Sequence, residues 1–189
     1  MTIDLTQLRQ LLEARGGEQY TGEPVSHLEH ACQTAAFAQR SGASPSMVAA
    51  ALLHDIGHLL SGLHGTPSAE GLDDMHEVLA AQALGPLFGD EVTGPIRLHV
   101  AAKRRLCMDA RYLKALSEDS RRSLVLQGGA FDAAQAAAFD ANEHAPAALQ
   151  LRRWDDAAKR PTENFGSLDD FWGAVVASAR PAREIRESA

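Results

Sequence analysis

The chain has 189 residues, 45% of them hydrophobic and 23% charged, proportions that suit one globular domain with a core that needs no disulfides. Lys and Arg number 18 against 25 Asp and Glu, and the net charge of -7 argues against general binding to nucleic acid or an anionic membrane. Aromatics make up only 5%, so the core has to come from Leu, Ala and Val. The two cysteines, Cys32 and Cys107, form no CxxC pair and are expected to be buried free thiols. The first residues are charged where a signal peptide needs an apolar run, and the longest apolar run, Met47 to Leu53, is too short for a membrane span. A cytoplasmic protein is expected, with no membrane, nucleic-acid or obligate protein partner.

Helical spacing recurs along the chain and no strand alternation persists, so the expected fold is all-α. Leu5, Leu8, Leu11 and Leu12 share one face of a first helix that Gly16-Gly17 ends. Ser26 and Glu29 form a capping box for a second, running to about Arg40. Ser44-Pro45 opens a third, expected to continue to about Leu59. A Gly/Pro/Ser-rich loop covers 62–71, and Asp73 or Asp74 is expected to cap a helix through Leu84. Further helices are expected over 90–105, 111–116, 120–126, 132–139, 146–159 and 168–179, with a break at Gln127-Gly128-Gly129. One domain over 1–180 and a charged, fraying tail over 181–189 complete the expectation.

The chemistry lies in the histidines and aspartates. His54-Asp55 ends the apolar run 48–53, where ionisable groups are costly to bury unless paired or metal-bound. His58 follows His54 by four and would share its face, and Gly57 permits close backbone approach. A lone His-Asp pair is as often a hydrogen-bonded core histidine or a helix cap as a ligand. Here His30, His76, His99 and Asp155 stand on separate expected helices and could converge on a dinuclear centre. Nitrogen and carboxylate ligands without thiolate favour iron or manganese over structural zinc. His27, His64 and His144 are expected to be solvent-exposed, Trp154 to pack beside a ligand and Trp172 to lie in the core. Arg104, Arg105 and Arg153 read as solvated helix faces.

His30, His54-Asp55 and Asp155 form an H…HD…D pattern. With Tyr20-Thr21-Gly22-Glu23, His99-Val100-Ala101-Ala102-Lys103 and Arg152-Arg153-Trp154-Asp155, the chain resembles the phosphonate-cleaving HD-domain oxygenases over roughly 5–160. Those are mixed-valent diiron enzymes related to inositol oxygenase. The resemblance implies an HD-domain helical bundle with two irons, Fe(II) and Fe(III), and dioxygen as co-substrate. His30, His54, Asp55 and Asp155 would bind one iron, and Asp55 would bridge to a second held by His76 and His99. Tyr20 would occupy an open iron position until substrate arrives, with Glu23 in the same turn.

The implied substrate is a small hydroxyphosphonate: 1-hydroxy-2-aminoethylphosphonate or, favoured, its N-trimethyl form. The products would be phosphate with glycine or glycine betaine. His58, Lys103, Ser120, Ser123 and Arg152 are the candidate phosphonate holders. Lys103 lies one turn from His99, and Arg152 can add a bidentate fork. Glu70, Asp73 and Asp74 in the loop before His76 could face a substrate cation. Two other functions compete: a metal-dependent HD phosphohydrolase, in which the same ligands activate water, and a non-catalytic sensing module, which a complete ligand set disfavours.

Overall fold

The computed structural model describes residues 3–161 and 163–181. Most of the expected tail, 182–189, lies outside the described residues. Eleven α-helices and one short 3₁₀ helix (67–70) follow one another, with no strand among the described residues. They are α1 (Leu5–Arg15), α2 (His27–Arg40), α3 (Pro45–Leu53), α4 (Ile56–Leu60), α5 (His76–Leu84) and α6 (Asp90–Leu106), then α7 (Ala110–Ala115), α8 (Glu118–Leu126), α9 (Ala133–Asp140), α10 (Ala145–Ala157) and α11 (Leu168–Ser178). None is long and apolar enough to cross a membrane.

The core forms around α3, the most apolar helix. Val48 to Leu53 are all buried, and Ala49, Ala50 and Ala51 are fully so. A helix that is apolar all round has no solvent face to present. Its small side chains let α2, α6, α10 and α11 approach closely, which is how a chain poor in aromatics fills its interior. Several ends are set by the caps that the sequence signals. Ser26 with Glu29 closes a capping box on α2, and Ser44 accepts from the amide of Met47 ahead of Pro45.

Two expected elements differ from the structure. The helix expected over 44–59 breaks at His54 and Asp55, where Asp55 leaves helical geometry (φ -104°, ψ 11°) between α3 and α4. His54 and His58 therefore do not share a continuous helix face. Neither Asp73 nor Asp74 caps α5, which starts at His76 after Met75 in the left-handed region (φ 49°). That sharp bend brings Asp74 beside the ring of His76, so Asp74 bonds side chains and not the helix amides.

Candidate metal centre

The site lies where α2, the α3–α4 break, α5, α6 and α10 meet. His30 comes from α2, His54 and Asp55 from the break, His76 from the first turn of α5, His99 from α6 and Asp155 from α10. Gly57 sets one of these distances: a β-carbon there would lie 1.9 Å from the carbonyl oxygen of His76. Only glycine lets α4 and α5 pack this closely.

The four imidazoles are oriented alike. Nδ1 faces the carbonyl of Ala158 in His30 (2.8 Å), of Ala51 in His54 (2.9 Å) and of Ile96 in His99 (2.7 Å). In His76 it faces Oδ1 of Asp74 (2.8 Å). A neutral ring that donates from Nδ1 presents a lone pair at Nε2. The Nε2 atoms of His30 and His54 lie 3.3 Å apart, and those of His76 and His99 lie 3.1 Å apart.

Asp55 stands between the two pairs. Its Oδ2 is 3.1 Å from His54 Nε2 and 3.5 Å from His30 Nε2. Its Oδ1 is 3.4 Å from His99 Nε2 and 3.5 Å from His76 Nε2. Oδ1 of Asp155 lies 3.3 Å from His30 Nε2, while its Oδ2 pairs with Arg152 at 2.7 Å. Oδ1 of Asp55 and Oδ1 of Asp155 are buried without a hydrogen-bond partner. Converging lone pairs and orphaned buried carboxylate oxygens are costly unless a cation takes them. The donors therefore fit a metal group of two ions sharing Asp55: His30, His54, Asp55 and Asp155 on one side, His76, His99 and Asp55 on the other.

The electrostatics point the same way. Burial opposes charge on His30, yet hydrogen bonds to Asp155 and Asp55 push it up to about 9. Burial also opposes charge on Asp55 and Asp155, but surrounding imidazoles, and Arg152 for Asp155, hold both well below the usual carboxylate range. Such a nest attracts positive charge.

Beside the centre is a cavity whose lining includes Lys103, Ser120, Ser123, Arg152 and Lys159. Lys103 is 3% exposed, and its ammonium donates to Ser123 Oγ at 2.9 Å. Burial, with Arg152 nearby, lowers it to about 7. Arg152 also donates to Ser120 Oγ (3.4 Å) and pairs with Asp156. The structure thus brings Lys103, Ser120, Ser123 and Arg152 to one wall.

Tyr20 lies over the centre. Its hydroxyl donates to Oδ2 of Asp55 at 2.6 Å, and its ring stacks on His30 at 4.2 Å. Burial and the neighbouring Asp55 raise its pKa well above the ordinary phenol value. Glu23, in the same turn, is paired with Lys159 (2.8 Å). His58 lines the cavity with its ring stacked on His76 (4.0 Å), and its Nδ1 meets Asp74 at 2.5 Å. The Asp74 carboxylate thus grips both rings.

Several expectations need correcting. His27 is half-buried against Tyr20 and His58, and burial lowers it to about 4. His144 is half-buried over Gly94, where a β-carbon would lie 2.5 Å from its ring. Arg104 is no simple solvated face: it bonds the carbonyls of Gly128 and Gly129 and stacks on Phe131. Trp172 is half-buried at the core's edge under Arg9, because its helix face borders solvent. His64 and Arg153 are exposed and Trp154 is buried, as expected.

Sequence reasoning missed Lys159 and the role of Asp74. Lys159 follows Asp155 by four, the spacing that singled out Lys103 from His99, so the signal was present. Asp74 looked like a helix cap because one of its partners, His58, comes from another element, and the other, His76, is reached only through the left-handed turn at Met75.

The HD domain family model matches residues 27–125. The hydroxymethylphosphonate dioxygenase of Gimesia maris is 45% identical over 157 residues, covering 82% of this chain and 78% of that protein. The glycine-betaine-forming [1-hydroxy-2-(trimethylamino)ethyl]phosphonate dioxygenase of Leisingera caerulea is 40% identical over 165 residues, covering 86% and 82%. An uncharacterized protein of Acanthamoeba polyphaga mimivirus is 33% identical over 169 residues, covering 88% and 77%. The chain belongs to the HD-domain family, in the group that holds these hydroxyphosphonate dioxygenases.

Proposed function

We propose that this protein is a diiron dioxygenase that cleaves the carbon–phosphorus bond of a small 1-hydroxyphosphonate and releases phosphate. One observation carries the reading: two imidazole pairs share Asp55 beside a wall of Lys103, Ser120, Ser123 and Arg152. The all-nitrogen and carboxylate donor set supports iron. When bound, two irons of unequal oxidation state would supply the dioxygen chemistry. The reaction needs no external reductant, since oxidising the hydroxylated carbon to a carboxylate uses the four electrons that dioxygen accepts.

The chain's own residues do the rest. Lys103 and Arg152 orient the phosphonate; their charges are worth most in a buried site. Tyr20 covers the Asp55 side of the centre and excludes water from it. Asp73 and Asp119, the latter paired with Arg122, also line the cavity, which supports a cationic substituent such as trimethylammonium. The hydroxymethylphosphonate relative keeps the unsubstituted compound in the same class. The net charge of -7 and two buried free cysteines support a cytoplasmic enzyme of small molecules, without nucleic acid, membrane or obligate protein partner.

The test is dioxygen uptake and phosphate release by iron-loaded protein. Hydroxymethylphosphonate, 1-hydroxy-2-aminoethylphosphonate and its N-trimethyl form would each be assayed in air and under nitrogen. Phosphate is expected only in air, in step with dioxygen uptake. Phosphate release under nitrogen would restore the phosphohydrolase, which the relatives' activities disfavour.

A further inference from the structure

Three cations line the cavity in a chain of net charge -7: Lys103, Arg152 and Lys159. Arg152 is committed to Asp155 and Asp156. Lys159, just beyond the end of α10, is held differently. Its ammonium pairs with Glu23 at 2.8 Å, both side chains being largely buried, and donates to Ser117 Oγ and Ser120 Oγ at 3.3 Å each. Ser120 Oγ is also the acceptor for Arg152. An anion seated against Ser120 therefore meets both Arg152 and Lys159.

We propose that Lys159 is a further phosphonate-binding residue, paired with Glu23 until the phosphonate competes for its ammonium. This rests on the hydroxyphosphonate reading above. A phosphonate brings up to two negative charges and three acceptor oxygens against the single charge of Glu23, so it wins the competition at hydrogen-bond range. The exchange reaches the centre's cover through one turn. The amide of Glu23 donates to the carbonyl of Tyr20 at 2.7 Å, the Tyr20 amide donates to Val25 at 2.9 Å, and the Lys159 ammonium lies 5.7 Å from the Tyr20 ring. When Lys159 turns to the phosphonate, the Tyr20–Glu23 turn loses its tether to the α10 end.

The test is isothermal titration of iron-loaded protein under nitrogen, where turnover cannot proceed, with hydroxymethylphosphonate and with inorganic phosphate. Lys159→Met is expected to weaken binding about tenfold or more, the loss of one charge-assisted contact. Lys159→Arg is expected to recover most of that loss. Glu23→Gln is expected to tighten binding severalfold, because Lys159 no longer has to leave a carboxylate. In the Lys159→Met background the same change is expected to do nothing, the coupling that a double-mutant cycle reads. A lowered melting temperature with unchanged affinity in Lys159→Met would show a purely structural ion pair and overturn the proposal. If Lys159→Met does not fold, Glu23→Gln decides alone, and equal or weaker binding there overturns it. A parent protein that binds neither probe removes the hydroxyphosphonate reading and this inference together, an outcome distinct from normal parent binding with an indifferent Lys159.

Discussion

The hydroxyl of Tyr20 and Oδ2 of Asp55 lie 2.6 Å apart across 35 positions of sequence, and Oδ2 is the oxygen that faces His30 and His54. The phenol covers the shared Asp55 carboxylate from the loop side without belonging to either imidazole pair. Tyr20→Phe keeps the stacked ring on His30 and loses only the hydrogen bond. We predict that it retains the parent's metal content, while the metal-free protein loses about 1.5–3 kcal/mol of stability, the usual worth of a hydrogen bond to a charged group. Metal analysis and denaturant unfolding check this. Loss of metal to the extent seen in a His30 variant would place Tyr20 among the ligands.

Because Asp55 gives one oxygen to each imidazole pair, its removal should differ in kind from the removal of any other donor. We predict that His30→Ala or Asp155→Ala loses about one metal per chain, that His99→Ala loses the other, and that Asp55→Ala loses both. Metal content per chain after dialysis reads this directly. Equal losses in all four variants would mean that the two groups of donors do not share Asp55.

Asp74 and Gly57 support the centre from outside it. Asp74 accepts from His76 and His58 and so fixes the ring orientation of each. Asp74→Asn is predicted to weaken metal binding about 10–100-fold, the usual cost of losing such a support. Gly57→Ala forces a β-carbon against the backbone of His76. It should cost about 1–3 kcal/mol of stability and also weaken binding on the His76–His99 side. Competition with a chromogenic chelator measures both affinities. Parent-like affinity in both variants would show that His76 needs neither support.

Lys103 and Arg152 are both proposed to hold the anion, but only Arg152 also holds a donor, Asp155. We predict that Lys103→Met raises the apparent KM for a hydroxyphosphonate roughly ten- to a hundredfold with metal content unchanged. Arg152→Met should lose both anion affinity and metal, because it leaves Asp155 without its partner. Steady-state kinetics with parallel metal analysis separates the two. Unchanged metal in Arg152→Met would show that Asp155 is held in place without it.

Much of this was legible in one dimension because the forces are local. Helix spacing, the Ser26–Glu29 capping box, the Ser44-Pro45 start and the breaks at glycine depend on neighbours within a few positions, and they placed most helices close to where they stand. The six candidate ligands stood out because ionisable groups at the end of an apolar run, or alone on a helix, need a reason to be buried. Their number and type already implied metal.

What the tertiary structure decided is pairing. That each oxygen of Asp55 faces a different imidazole pair follows from the helix break at 54–55, which the apolar run ahead of it does not announce. Asp74 looked like a cap and became a support for His58 and His76, because Met75 takes a left-handed conformation that turns the carboxylate toward them. Glu23 and Lys159 are separated by 136 positions and became partners only when the first loop closed over the end of α10. Composition and spacing determine which side chains need a partner. Which partner each one finds depends on contacts between distant segments, and those exist only once the core around α3 has brought the helices together.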